Sequence, residues 1–142
     1  MCCGRLLAQT PIDGVDAADP SAHVELEPTP GAARLARAFL ADHTTGLDAT
    51  AQHSAAVCAS ELVTNGVLHA RTPITFGVTI GSDRLLVTIA DRGTGRPASP
   101  PRDDTRPSGR GLVLVDAMTA QWGVFDEEDG KTVWFTVPRS AP

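Results

Sequence analysis

The segment from Ala49 to Ala70 constrains this chain most. Its apolar residues recur at helical spacing, Asp48 stands before it as a capping residue, and Arg71-Thr72-Pro73 ends it. An aspartate there accepts a bond from a first-turn N–H that has no helical partner, and the residue before a proline is pushed toward extended backbone. At 100° per residue, Ala56, Ala59, Val63, Val67 and Ala70 gather on one side, which suits burial against a sheet. Glu61 and Asn65 lie roughly opposite, about 40° apart, with His69 a further ~40° round and Val57 and Leu68 flanking. A carboxylate and an amide one turn apart on an otherwise apolar helix need polar partners, and the flanking apolar residues suggest that the polar stripe is covered. Taken alone, the helix reads equally well as a solvated edge or as part of a site.

The 142 residues are enough for one domain with a sizeable core. No apolar run approaches the roughly 18 residues that a membrane span needs, and no leader pattern opens the sequence, so the expectation is a soluble, cytoplasmic protein without membrane contact. Cys2, Cys3 and Cys58 form neither a disulfide framework nor a metal-ligand spacing, and reduced thiols are expected. The formal charge of -5 argues against a nucleic-acid binder that neutralises phosphates over a broad surface. Five arginines (92, 96, 102, 106, 110) against Asp103 and Asp104 nevertheless leave residues 92–110 at +3. A compact anionic ligand fits that asymmetry better than a polymer does.

Residues 1–21 mix Gly, Pro, Asp and Ala without periodicity and read as a poorly ordered tail, with 139–142 as a second short one. Between them, 22–138 form the folded domain. A strand is predicted over His23 to Glu27, a first helix over Ala32 to His43 with Leu35, Phe39 and Leu40 at helical spacing, and then the long helix. Ile74 to Ile80 and Arg84 to Ala90 read as a hairpin around Gly81-Ser82-Asp83, and Trp122 to Phe125 with Val133 to Val137 as another. The glycine- and proline-dense stretch 91–111 excludes regular structure, and a short helix follows from Leu112 to Met118. This order predicts an α+β fold, a two-layer α/β sandwich whose mainly antiparallel sheet carries its helices on one face.

Two further elements carry chemistry. Asp91-Arg92-Gly93-Thr94-Gly95 follows an apolar strand directly. An ionised aspartate only accepts hydrogen bonds, so at a strand end it can read the exocyclic amine of adenine and would oppose the carbonyl of guanine. Glycines let backbone approach a flat base. Ser108-Gly109-Arg110-Gly111 runs into the helix that starts at Leu112, where free N–H groups and the charges of Arg106 and Arg110 suit phosphate. Gly93-Thr94-Gly95-Arg96-Pro97-Ala98 also fits a loose dinucleotide fingerprint, but Ser99-Pro100-Pro101 stands where that motif needs a helix. Gly130-Lys131-Thr132 imitates the end of a P-loop, yet a strand pattern follows it.

ELVTN on a helix, DRGTG after a strand, SGRGL before a helix and GKTVWF in the last hairpin together resemble the GHKL ATPase superfamily. Within it the chain is most similar to small single-domain anti-sigma-factor serine/threonine kinases of the actinobacterial kind, over residues 22–138. The resemblance implies the Bergerat ATP-binding fold with ATP and Mg2+ as ligands. It implies Glu61 as catalytic base, Asn65 as magnesium ligand and Asp91 as adenine reader. Gly93 and Gly95 would shape the base pocket, and Arg106, Ser108, Gly109, Arg110, Gly111 and Leu112 would form the phosphate side under a lid over residues 96–108. Thr132 would support adenine through water. The implied partners are a sigma factor and an antagonist protein that is phosphorylated, and family members often pair as homodimers. Pro107 stands where better-characterised relatives can carry an arginine that reaches the γ-phosphate. That departure keeps open a nucleotide-gated binding module without phosphotransfer.

Overall fold

The computed structural model describes residues 12–92, 115–127 and 130–140. Strand β1 (Ser21–Leu26) leads into α1 (Ala32–His43) and α2 (Ala49–His69), followed by β2 (Ile74–Ile80), β3 (Arg84–Asp91), β4 (Gln121–Glu127) and β5 (Gly130–Pro138). Residues 115–118 form a helical turn, and 112–114, predicted to begin that helix, lie outside the described residues. The strands make one sheet in the order β1-β2-β3-β5-β4, and all four described pairings are antiparallel. With helices packed on it, this is the expected α+β two-layer sandwich.

Strand alternation decides which side chains meet the helices. Ile74, Phe76 and Val78 of β2, Leu85, Val87 and Ile89 of β3, and Phe135 and Val137 of β5 point into the main core. Ala51, Ala55, Cys58, Ala59, Leu62 and Val63 of α2 meet them there. From α1 the buried residues are Ala32, Ala36 and Leu40, whereas Leu35 is 57% exposed. The small alanine stripe therefore faces inward and lets α1 sit close, and Leu35 falls outside the apolar face that its spacing suggested.

The outer face of the sheet carries a second, smaller cluster of Ile12, Leu86 and Trp134, with Val15 and Phe125 packed against it. Gly123 lies opposite Trp134, where a Cβ would come within 2.9 Å of the indole. Ile12 is only 4% exposed, and Gly14 O accepts a bond from Ser82 N at 3.0 Å, so residues 12–20 are anchored to the sheet although their composition has no periodicity. At the other end, Arg139 N donates to Asp83 O, and its guanidinium donates to Gly81 O at 3.0 Å.

Candidate functional site

The start of α2 is fixed from three sides. The Asp48 carboxylate accepts from Thr50 N at 3.0 Å, Asp48 N donates to Arg139 O, and the Gln52 side-chain amide donates to Thr44 O and Leu47 O. These bonds satisfy polar groups that the helix end and its entry loop would otherwise leave unpaired. They also set the helix's rotation about its axis. On one flank α1 is tied on, with Arg37 Nη1 donating to Ser60 Oγ at 2.9 Å. Glu61 and Asn65, both half-buried, lie on the opposite flank, and His69 is exposed. The polar stripe thus runs along the side of α2 turned away from α1. Leu68 does not cover it, being 54% exposed, and Val57 is only half-buried.

Gly66 brings this stripe to one end of the sheet. A Cβ there would lie 3.1 Å from Ile74 Cδ1, so the bare glycine lets α2 rest closely on the first residue of β2. Ile74 is the register partner of Asp91, and Asp91 is the partner of Lys131. Asp91 shares its face with Ile89 and Ile74, which is the face toward the helices. Asn65 thus adjoins the glycine that packs at the Asp91 end of the sheet, and Glu61 lies one helical turn back along α2. Asp91 is half-buried there.

Thr132 does not join them. It pairs with Ala90 and Phe125, is 1% exposed and faces the outer side of the sheet. The two-residue strand period puts the Thr132 and Asp91 side chains on opposite faces of the sheet. Lys131 occupies the place beside Asp91 on the helix-facing side. Sequence reasoning missed it, although Val133, Phe135 and Val137 alternate as core residues and put position 131 on their face.

Gly93, Gly95, Arg106, Ser108, Gly109, Arg110, Gly111 and Leu112 lie outside the described residues. The chain that follows them is tied to the core. Val115 is fully buried, Thr119 Oγ1 donates to Val115 O at 2.7 Å, and Trp122 Nε1 donates to Asp116 Oδ1 at 2.9 Å. On the near side, Arg92 N donates to Thr72 Oγ1 at 3.1 Å, and the Arg92 guanidinium pairs with Glu25 at 3.0 Å.

The electrostatics around α2 keep its one cysteine inert. Burial, with the Glu61 carboxylate one turn on as the smaller cause, pushes the Cys58 thiol up from 9.0 to about 11. A thiol so raised stays protonated and is a poor nucleophile. The oxygen groups are differently placed. Asn65 offers a half-buried amide oxygen, Glu61 a carboxylate, and Asp91 a carboxylate at a strand end, a set that suits a hard cation and an amine-bearing base.

A profile described as Histidine kinase-like ATPase domain matches residues 26–137. The chain belongs to that family. Among solved structures, the RsbU and RsbW domains of Rv1364c from Mycobacterium tuberculosis superpose on this histidine kinase-like ATPase domain with a TM-score of 0.67 at 23% identity. That match covers 87% of this chain and 33% of the other, so the chain spans about a third of that protein's length. The histidine kinase domain of the blue-light activated histidine kinase from Erythrobacter litoralis EL346 gives a TM-score of 0.53 at 20% identity, covering 96% of this chain and 76% of that one. At these identities the likeness concerns the fold. No curated protein matches the chain at a significant level. Among the described residues, no helix of this ATPase-family domain is long and apolar enough to cross a membrane.

Proposed function

We propose that the domain binds Mg-ATP and is a serine/threonine protein kinase that holds a sigma factor and phosphorylates an antagonist protein. The observation that carries the reading is the close packing of Gly66 on Ile74, the register partner of Asp91, which supports a site that takes Asp91 together with Asn65 and, one turn back, Glu61. Asp91 would accept the exocyclic amine of the base. Asn65 would give its amide oxygen to Mg2+, which binds few protein ligands and keeps several waters. Glu61 would orient the acceptor hydroxyl and take its proton as the phosphoryl group is transferred. Arg106, Arg110 and the N–H groups of Ser108 to Leu112 would hold the phosphates. Bound Mg-ATP supplies the transferable γ-phosphoryl group. The likeness to a protein with an RsbW domain supports a regulatory kinase over a free-standing hydrolase.

In a transfer assay with Mg-ATP and candidate antagonist proteins, one antagonist should be phosphorylated on Ser or Thr, and Glu61→Ala should abolish transfer while ATP affinity stays within about threefold of wild type. Tight ATP binding without transfer to any antagonist would defeat the kinase assignment. Asp91→Asn presents a donor where the base offers one and should remove most ATP affinity in calorimetry. Near-normal binding by that variant would mean that the base pocket lies elsewhere. Pro107 favours a second reading, a nucleotide-gated module that holds its regulator and transfers nothing. Under that reading Glu61→Ala leaves partner binding and its nucleotide dependence intact.

A further inference from the structure

Strand β3 ends at Asp91, and the reason lies on β2. Continuing the register of Ile74 with Asp91 by one step places Arg92 opposite Pro73, where β2 has not yet begun. A proline has no N–H and cannot extend a ladder. The Arg92 N–H is taken instead by a side chain, Thr72 Oγ1, at 3.1 Å. A strand-end N–H left without a partner would let the corner fray, so this bond secures the end of β3 at Arg92.

Thr72 is itself aimed by the end of α2. Gly66 O accepts from both Ala70 N at 2.9 Å and Arg71 N at 3.4 Å, closing the helix. Arg71 then adopts φ 58, a left-handed conformation uncommon for a residue with a Cβ. That turn reverses the chain and delivers Thr72 to Arg92. The resulting connection runs from Gly66, next to Asn65, through Arg71 and Thr72 to Arg92, next to Asp91. It joins the helix that carries Glu61 and Asn65 to the strand end that carries Asp91. The other grip on Arg92, the Glu25 carboxylate, joins side chains that are 65% and 53% exposed and is a weak tether in water.

We propose that Thr72 is a positioning residue for the ligand site, its hydroxyl fixing the Asp91-Arg92 corner relative to the Asn65 end of α2. The inference rests on the nucleotide reading above, and its test separates the two. Mg-ADP and Mg-ATP affinities of the full chain are measured by calorimetry for wild type, Thr72→Val, Thr72→Ser and Glu25→Gln. Exchange of the Arg92 amide is followed by NMR without ligand. Thr72→Val keeps the branched shape and removes the acceptor. It should weaken both nucleotides about five- to tenfold, the effect of one hydrogen bond, and speed Arg92 exchange. Thr72→Ser should restore affinity and protection to within about twofold of wild type, and Glu25→Gln should stay within the same range. Thr72→Ala serves in place of Thr72→Val should the valine variant fail to fold. Wild-type affinity in the variants that lack the hydroxyl, with an unchanged Arg92 exchange rate, would overturn the positioning role alone. Equal loss in the serine and valine variants would also overturn it, since shape and not the hydroxyl would then matter. No binding of either nucleotide by wild type would remove the nucleotide reading and this role with it.

Discussion

Gly130→Ala probes the junction on which the site depends. Gly130 is buried at the start of β5, and a Cβ built there would sit inside the envelope of Asp91 O, with Arg92 Cα at 3.0 Å. The obstructing atoms are backbone of the neighbouring central strand, so no rotamer change relieves them. The end of the β3–β5 ladder has to open, which puts at risk the pairing of Asp91 with Lys131 and of Glu127 with Gly130. Losing one or two ladder hydrogen bonds at about 1 kcal/mol each gives a destabilisation of ~1–2 kcal/mol, within the usual cost of overpacking. The same shift moves Asp91, and ATP affinity should fall at least about tenfold, the equivalent of ~1.4 kcal/mol. Gly81→Ala is the matched control. Its Cβ would strike backbone equally closely, at Gly14 O and Arg84 O, but at the opposite end of the sheet. Urea denaturation and calorimetry on both variants decide the matter: each should lose stability, and only Gly130→Ala should lose affinity. Equal affinity losses in the two would show that nucleotide binding follows global stability and not the geometry at Asp91.

Three other outcomes are expected. Ile12→Ala should cost about 2 kcal/mol in urea denaturation, the low end for a buried isoleucine, because its cluster is small; a cost under about 0.5 kcal/mol would show that residues 12–20 do not contribute to the domain. Thr136 Oγ1 is buried with no hydrogen-bond partner among the described residues, so Thr136→Val should be neutral or stabilise by about 1 kcal/mol, and a marked loss would reveal a partner. Cys58, raised from 9.0 to about 11, favours folding fully below pH 9, and that contribution is lost as pH rises toward 11 because the unfolded thiol ionises first. Between those limits wild type should lose stability more steeply than Cys58→Ala, and parallel curves would contradict a buried thiol.

The elements were largely legible because their periodicities are strong. Ala32 to His43 and Ile74 to Ile80 fall at the residues that the pattern predicts, and β3 runs one residue longer, to Asp91. What escaped depends on facing and distance. Leu35 looked like core, but the alanines of α1 pack closer than leucines would allow, and that preference is set by the partner surface. Ile12 and Val15 are isolated apolar residues among turn formers, and Leu86 and Trp134, which arrive from distant strands, give them a place. In the site, Glu61 and Asn65 were visible as a pair on one helix because their spacing is local. That Lys131 and not Thr132 is the register partner of Asp91 turns on strand pairing, a non-local quantity that a one-residue shift inverts.

The order of the strands has a consequence for how such a chain can change. β5 lies beside β3 although β4 precedes it, so Asp91 and Lys131 are paired across a length of chain that includes β4 at the edge of the sheet. Viewed as a polymer, the connection between Asp91 and Val115 is a segment whose two ends the packed domain holds in place. For any flexible connection between fixed ends, doubling the length costs only about 0.6 kcal/mol, less than many single substitutions in a core. Changes of length are therefore expected to weigh little on folding only between Asp91 and Val115, because Val115 and β4 belong to the packed domain. Lineages carrying this topology are free to diversify what they recognise there while inheriting the same sheet.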